Sequence, residues 1–367
     1  MSGWQTKQLG AVLQLNYGKG FSVENRSPGS IPVYESNGIV GFHNSALVEG
    51  PRVIDDRNGS TGEAHLCSGA FYPLDTTYYI THQDAPEADI EFHYNLPKHL
   101  DLQRSKGEVG VSGLNREMAC FEPVSQHSGI PELKAIAHSL STLERAIDAQ
   151  ERMIQTTTEQ KKVLMQKLFT EGLRGEPQKE TVIGLMPESW GVVPFEKFAT
   201  LQRSFDLRKQ EFRPGKVPVI GATQVIGYHD PANLKGPGVT VVRSGSSAGM
   251  PQYIQSDFWA HNVLLHLKDF HGNIPKFVYH KIMSLDLTRF RQGVAVPTLN
   301  RNTFSSIEIS VPPCYEQKEI VHVLDRIEQR CHVAARHRHH LQDLFMSLLR
   351  NLLNSKMRVT IAPLPSS

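Results

Sequence analysis

Residues 31–43 read IPVYESNGIVGFH, and residues 217–229 read VPVIGATQVIGYH. The two stretches lie 186 residues apart and carry proline, valine, glycine and histidine at matching places. The same spacing aligns Trp4 with Trp190 and Gly50-Pro51 with Gly236-Pro237. Towards the end of each repeat the spacing falls to 185 and then to 184, as short insertions in surface loops would produce. The chain is therefore a tandem duplication, and the repeat fixes its organisation.

Each repeat begins with a segment that predicts a compact mixed α/β unit. These segments are rich in glycine, proline and β-branched residues, and short runs such as Thr240-Val241-Val242 and Glu308–Val311 are typical of strands between turns. A long stretch without proline or glycine follows in each repeat, at residues 132–171 and 315–353. Such stretches indicate helices.

Both predicted helices carry a heptad seam. Seven of ten seam positions are apolar in the first helix and nine of ten in the second, over about four heptads. A seam of that length favours pairing of the two helices with each other over packing on one small unit. The apolar seam residues we expect to pair are Ile136, Leu140, Leu143, Ile147, Ile154, Leu164 and Leu168 in the first helix, and Ile320, Leu324, Ile327, Leu341, Phe345, Leu348 and Leu352 in the second.

These patterns predict a mixed α+β fold in which two tandem-repeat globular units are joined by two long antiparallel helices, with pseudo-two-fold symmetry. The predicted parts are a first globular unit (1–130), a first spacer helix (131–172), a linker (173–187), a second globular unit (188–313), a second spacer helix (314–356) and a C-terminal tail (357–367). The linker assignment rests on Gly175, Pro177 and Pro187.

Composition narrows the class of protein. Of 367 residues, 39% are hydrophobic and 21% are charged, which is typical of a folded globular chain. Apolar runs are far shorter than the ~18 residues of a membrane span, and no signal peptide opens the sequence, so we expect a cytoplasmic protein without a membrane partner. The four cysteines are scattered, which predicts reduced thiols and no zinc knuckle. Residues 1–130 carry a net charge of −6, whereas residues 181–313 carry +5.

The duplication itself suggests a partner. Two non-identical binding faces held apart by spacer helices suit a long two-fold object such as double-stranded DNA, whose half-sites lie about 34 Å apart in dimeric readers. Because the repeats have diverged, each is expected to read a different sequence.

The order of the motifs resembles the specificity subunit of type I restriction-modification systems. The resemblance spans the whole chain and rests on residues 31–43, RNGSTG at 57–62, DTTYY at 75–79, KKVLMQKL at 161–168, VPTLNR at 296–301, and VPP at 311–313 with EQKEI at 316–320. It implies two target-recognition domains, a bipartite DNA target, and docking of two methyltransferase subunits and two motor-nuclease restriction subunits. It also implies that methyl donor and ATP are bound by those partners, and that this chain binds no cofactor.

The residues predicted to contact DNA are basic or small polar side chains in loops. Arginine can hold a phosphate or a guanine edge, asparagine can read adenine or cap a helix, and glycine lets backbone N–H groups approach a phosphate. The predicted set is Lys19, Arg26, Arg57, Asn58, Ser60, Asn115, Arg116, Arg203, Arg208, Lys209, Arg213, Lys216, Arg243, Ser244, Ser246, Asn300 and Arg301.

Catalytic and metal sites are not expected. Val311-Pro312-Pro313-Cys314-Tyr315 lacks the hydrogen-bond acceptor and the stacking aromatic of an amino-methyltransferase motif, and Gly18-Lys19-Gly20 lacks the hydroxyl residue of a phosphate loop. Cys331, His332, His337, His339 and His340 spread over several faces of a predicted helix, which argues against zinc. We therefore predict a non-catalytic chain. The alternatives left open are a self-contained DNA-modifying enzyme with an unrecognised site and a coiled-coil scaffold.

Overall fold

The computed structural model describes residues 4–36, 38–56, 64–81, 94–95, 114–127, 130–293 and 296–353, and the chain forms two compact units. The first unit comprises Met1–Arg152 and Ala335–Ser367, and the second comprises Met153–Ala334. The division cuts through both long helices and does not fall at the predicted linker. Each helix is shared in this way because its two halves pack on different globular parts.

The first unit is built on a four-stranded antiparallel sheet of order β2-β8-β5-β6 and a three-stranded sheet of order β4-β3-β7. The first and last strands of this unit in the sequence, β1 and β9, pair with each other in a separate two-stranded sheet. The strands are β1 (Trp4–Gln8), β2 (Gln14–Tyr17), β3 (Ile31–Glu35), β4 (Gly38–His43), β5 (Arg52–Asp56), β6 (Ala64–Cys67), β7 (Tyr72–Pro73), β8 (Thr77–Thr81) and β9 (Pro123–His127), and helices α1 (Arg116–Phe121) and α2 (Ile130–Thr170) complete the series.

The second unit repeats this topology strand for strand. Its four-stranded sheet has the order β13-β19-β16-β17, its three-stranded sheet has the order β15-β14-β18, and β12 pairs with β22. The elements are β10 (Gln178–Thr181), β11 (Gly184–Pro187), β12 (Gly191–Pro194), α3 (Phe195–Phe198), β13 (Thr200–Arg203), β14 (Val217–Ile220), β15 (Val225–His229), β16 (Gly238–Val242), β17 (Pro251–Ile254), β18 (Trp259–Ala260), β19 (Leu264–Asp269), α4 (Pro275–Ser284), β20 (Arg291–Gln292), β21 (Thr298–Leu299), β22 (Glu308–Val311) and α5 (Cys314–Leu353).

The two long helices run antiparallel wherever they pack together. In the first unit the start of α2, at Ile136 and Leu140, shares one core with the end of α5, at Phe345 and Leu349. In the second unit the end of α2, at Leu168, shares a core with the start of α5. All fourteen predicted apolar seam residues are buried or partly buried. The predicted fold class, a mixed α+β chain with two repeated globular units and two long antiparallel helices, is confirmed.

The segment between the repeats differs from the predicted linker. Helix α2 ends at Thr170, two residues before the predicted boundary, because Gly172 adopts a φ of +70° that leaves the helical region. The predicted linker then contains the antiparallel hairpin β10–β11. Helix α5 is described as far as Leu353, and its predicted end at 356 and the predicted tail lie outside the described residues.

A buried carboxylate joins the end of α2 to the start of α5. Glu316 is fully buried, and it accepts hydrogen bonds from Trp190 Nε1 at 2.9 Å and from the backbone N–H of Leu173 at 3.0 Å. A Cβ atom at Gly172 would lie 2.7 Å from the same carboxylate. Glycine is therefore needed at the close approach, and Glu316 fixes where the chain leaves the helix.

Lys281 on α4 is a buried cation beneath the last turn of α2. Its ammonium donates to Ser310 Oγ at 3.1 Å and lies 5.2 Å from the centre of the Phe169 ring. Burial lowers the pKa of Lys281 from 10.5 to about 8. Because the unfolded chain keeps the ordinary pKa, the folded state binds fewer protons between these two values.

We predict that Glu316→Ala destabilises the protein by about 2–4 kcal/mol, because it leaves the buried Trp190 Nε1–H and the partly buried Leu173 N–H without an acceptor. The measurement is the free energy of unfolding from urea titration. Glu319→Ala is the matched control, since Glu319 is half exposed and pairs with Arg174 at the surface. The control should cost at most about 1 kcal/mol. Equal losses for both variants would contradict the assigned role of Glu316.

We predict that Lys281→Met stabilises the protein at neutral pH, where the wild-type side chain is buried and charged. The difference between the pKa of Lys281 in the unfolded chain, 10.5, and in the folded chain, about 8, corresponds to about 3 kcal/mol, which is the upper limit of the gain in stability. Wild-type stability should rise relative to the variant between pH 8 and pH 10.5, so that the gain shrinks over that range. Urea titrations of both proteins at several pH values test this, and a gain independent of pH would contradict it.

Candidate nucleic-acid interface

One edge of the four-stranded sheet in the second unit collects several predicted DNA-binding residues. Strands β13 and β16 both pair antiparallel with β19, which lies between them, so both end at the same edge. Arg203 is the last residue of β13, and Arg243 directly follows β16. The strand order therefore brings two arginines that are 40 positions apart in the sequence to one sheet edge.

The Gly-Ser loop of the second repeat is held in place by backbone hydrogen bonds. Gly245 has a φ of +102°, which glycine adopts readily, and its N–H donates to the carbonyl of Pro297 at 2.9 Å. The carbonyl of Arg243 accepts from Leu299 N at 2.7 Å, and the Arg243 Nε donates to the carbonyl of Asn262 at 3.3 Å. Ser246 is exposed and Ser244 is partly exposed. The counterparts Arg57, Asn58 and Ser60 lie outside the described residues.

The asparagines of the two Leu-Asn-Arg triplets cap helices. The Asn115 side chain accepts from the N–H groups of Glu117 and Met118 at 2.9 and 3.2 Å, and Asn300 accepts from Asn302 N at 3.1 Å. This is the capping alternative that the sequence left open. Adenine contact by either side chain stays a prediction.

The arginines of the same triplets lie against the first strand of each four-stranded sheet. The Arg116 guanidinium sits 4.9 Å from the centre of the Tyr17 ring, at the end of β2. Arg301 Nη1 donates to the carbonyl of Leu201 in β13 at 3.1 Å. Both triplets thus occupy equivalent places in the repeated fold.

The loop at residues 208–216 presents four exposed cations on a fixed backbone. Arg213 N donates to His229 Nδ1 at 2.8 Å, and Glu211 closes the start of the loop through a 2.9 Å bond from Arg208 N. A Cβ atom at Gly215 would lie only 2.3 Å from the carbonyl oxygen of His229. The exposed cations are Arg208, Lys209, Arg213 and Lys216.

The first repeat forms the equivalent loop, residues 22–30, with other side chains. Ser27 N donates to His43 Nδ1 at 3.0 Å, which reproduces the bond from Arg213 to His229. The loop in the second repeat has a net charge of +3, whereas that in the first repeat has none. Divergence has therefore changed the charge of this loop and kept its backbone anchor.

Arg26 packs on a strand of its own unit. Its Nη1 donates to the carbonyl of Val40 at 3.1 Å and the half-buried side chain covers Gly41 of β4. A contact between Arg26 and DNA stays a prediction. Phe212 covers the equivalent Gly227 in the second repeat. In both repeats the side chain at this position therefore packs over a strand glycine. Lys19, by contrast, is exposed.

A polar cluster in the second unit was not predicted. Within the described ranges, His280, Asp325 and Glu328 have possible metal-ligating atoms that all lie within 4.8 Å of one another. Lys161 Nζ lies 2.6 Å from Glu328 Oε1, and Lys276 Nζ lies 2.6 Å from Asp325 Oδ1. The ammonium groups already neutralise both carboxylates, so the contacts describe an ion-pair network that ties α4 to α2 and α5.

His280 is the uncharged member of this network, since burial lowers its pKa to about 4. The only sequence signal for the cluster is Lys161, a charged residue at a seam position. The predicted helix residues His332, His337, His339 and His340 are exposed along α5, and Cys331 is partly buried. Over the described ranges, none of the helices is both long and apolar enough to span a membrane.

Comparison with known proteins identifies the second repeat and the overall fold. Residues 187–337 match the family described as the type I restriction modification DNA specificity domain. A Mycoplasma pneumoniae protein described as a type I specificity subunit is 24% identical over 260 residues, covering 69% of this chain and 68% of its own length. A Haemophilus influenzae protein described as a type I restriction enzyme specificity subunit is 28% identical over 119 residues, covering 31% of this chain and 30% of its own length.

Two solved structures share the fold. The S subunit of a type I restriction-modification system from M. genitalium superposes with a TM-score of 0.68 at 16% identity, covering 95% of this chain and 96% of its own. A chain from a structural study of complex assembly and conformational transition in a type I R-M system superposes with a TM-score of 0.56 at 14% identity, covering 96% and 97%. The second repeat thus matches the type I restriction modification DNA specificity domain, and the chain shares its overall fold with the solved S subunit from M. genitalium.

Proposed function

We propose that this chain reads a bipartite target in double-stranded DNA, with each globular unit contacting one half-site. The observation that carries the proposal is the repetition of one fold, strand for strand, with different charges on equivalent loops. A shared scaffold gives both units the same way of docking on a duplex, and divergent loops give them different sequence preferences.

We infer the partners from the similarity to type I specificity subunits. The chain is proposed to dock two methyltransferase subunits and two restriction subunits, which bind methyl donor and ATP. In support, one structural relative comes from a study of complex assembly in a type I system. In this proposal the chain catalyses no reaction, and it supplies the recognition of the DNA sequence.

The direct test measures methyltransferase activity and maps the methylated positions in DNA. The purified chain incubated with DNA and labelled methyl donor should give no incorporation until a methyltransferase subunit is added. Sequencing of the modified genomic DNA should then place the methyl groups in a motif of two short half-sites with an unread gap. Methylation by the chain alone would favour the alternative of a self-contained enzyme, and a complex that never binds DNA would favour a scaffold.

We predict that grafting residues 186–313 from a relative with another target changes only one half-site of the methylated motif. The reason is that this segment contains the whole globular part of the second repeat. The parent chain mapped in the same host is the control. A change in both half-sites would contradict the assignment of one half-site to each unit.

We predict that Arg208→Ala with Lys209→Ala weakens binding to all duplexes about equally. Both cations are exposed on the loop at 208–216, and lysine or arginine contacts to phosphates release counterions. The slope of log affinity against log salt should flatten by about one to two. Lys162→Ala with Lys167→Ala, two exposed cations on α2, is the control that should leave the slope unchanged. Loss of preference at one half-site without a change in slope would show that Arg208 and Lys209 read bases.

A further inference from the structure

Where the first strand of each four-stranded sheet ends, an aromatic side chain and a cation lie two residues apart, one at the last strand position and one just beyond it. The first repeat has Tyr17 and Lys19, and the second has Arg203 and Phe205. The spacing of 186 aligns Tyr17 with Arg203 and Lys19 with Phe205, so the ring and the cation have exchanged places. Both rings are exposed to solvent, Tyr17 at 45% and Phe205 at 39%, and both cations are exposed.

Each exposed ring is held by a buried neighbour. The Tyr17 ring lies 5.0 Å from that of Tyr78, which is fully buried. The Phe205 ring stacks on buried His266, with centroids 5.4 Å apart and planes 20° from parallel. Because the underlying side chains are fixed in the core, each ring is presented to solvent in a set orientation, at little further cost in side-chain entropy.

The surroundings of both rings are cationic. In the second unit Arg203 shares its sheet edge with Arg243, and the loop with four exposed cations begins three residues after Phe205. In the first unit the Arg116 guanidinium lies over the Tyr17 ring. Exposed aromatic side chains among arginines and lysines are suited to a nucleic acid, since the cations hold phosphates while the ring contacts a base.

We propose that Tyr17 with Lys19, and Arg203 with Phe205, contact base edges in the two half-sites and set part of their different sequence preference. A cation donates to O6 and N7 of guanine, whereas a ring packs on the methyl group of thymine or on an exposed base face. Exchanging the two side chains therefore moves the guanine-reading and thymine-reading positions relative to the same scaffold. The inference rests on the proposed function, because it assigns the residues that carry its two specificities.

The test exchanges the pair within one unit. The full-length chain, assembled with its methyltransferase subunits, is incubated with a pool of duplexes that contain a random core, and the bound fraction is sequenced. Arg203→Tyr with Phe205→Lys gives the second unit the order of the first. We expect a change of about 10-fold or more in base preference at one or two positions of one half-site, with the other half-site unchanged.

Two further variants keep the test decisive. Phe205→Leu retains an apolar contact with His266 and removes the ring, so it should fold if the double variant does not, and it should relax the preference at the same position. Tyr315→Ala is the matched control, because Tyr315 is an exposed ring with the Arg174 guanidinium 4.8 Å away but lies at the start of α5. The control should leave the motif unchanged.

The outcomes separate the two levels of the proposal. If the unmodified complex enriches a bipartite motif and the exchange leaves every base preference as it was, or lowers affinity for all sequences alike, the inference is overturned and the proposed function stands. If the unmodified complex enriches no motif from the pool, the proposed function fails and the inference fails with it.

Discussion

The packing of α2 against α5 is the interaction on which both globular units depend. Each unit takes one half of each helix into its core, so the seam residues fill the space beneath the strands as well as the space between the helices. Burying such side chains supplies the main favourable free energy of folding, at ~25 cal/mol per Å² of apolar surface. A substitution in the seam is therefore expected to destabilise a whole unit.

Polar contacts restrict how the two helices pair. Lys161 of α2 meets Glu328 of α5 in the second unit, and Arg338 of α5 bonds to Glu151 of α2 in the first. A charged group in an apolar seam costs stability in any register that leaves it without its partner. These pairs and the Glu316 carboxylate specify the antiparallel register more sharply than an apolar seam alone would.

The two repeats share their backbone contacts and differ in their exposed side chains. Three features recur in both units. The N–H of Ser27 or Arg213 donates to a histidine ring, a glycine lies close to a backbone carbonyl, and the strands have the same order. Loop charge and the order of ring and cation do not recur. A shared scaffold with different loops is what the proposed function requires, because the two units would dock on a duplex in the same way and read different sequences.

The sequence by itself determined the duplication, the mixed α+β class and the two helices with their seam. These features are periodic or repeated along the chain, so spacing alone reveals them. Only the tertiary structure decided that each helix is shared between two units, that Arg26 covers Gly41, that Asn115 and Asn300 cap helices, and that Trp190 bonds to Glu316 across 126 residues. The physical reason is that such roles depend on which distant side chain fills a given space, and a buried donor or acceptor finds its partner through the fold and not through the spacing of residues.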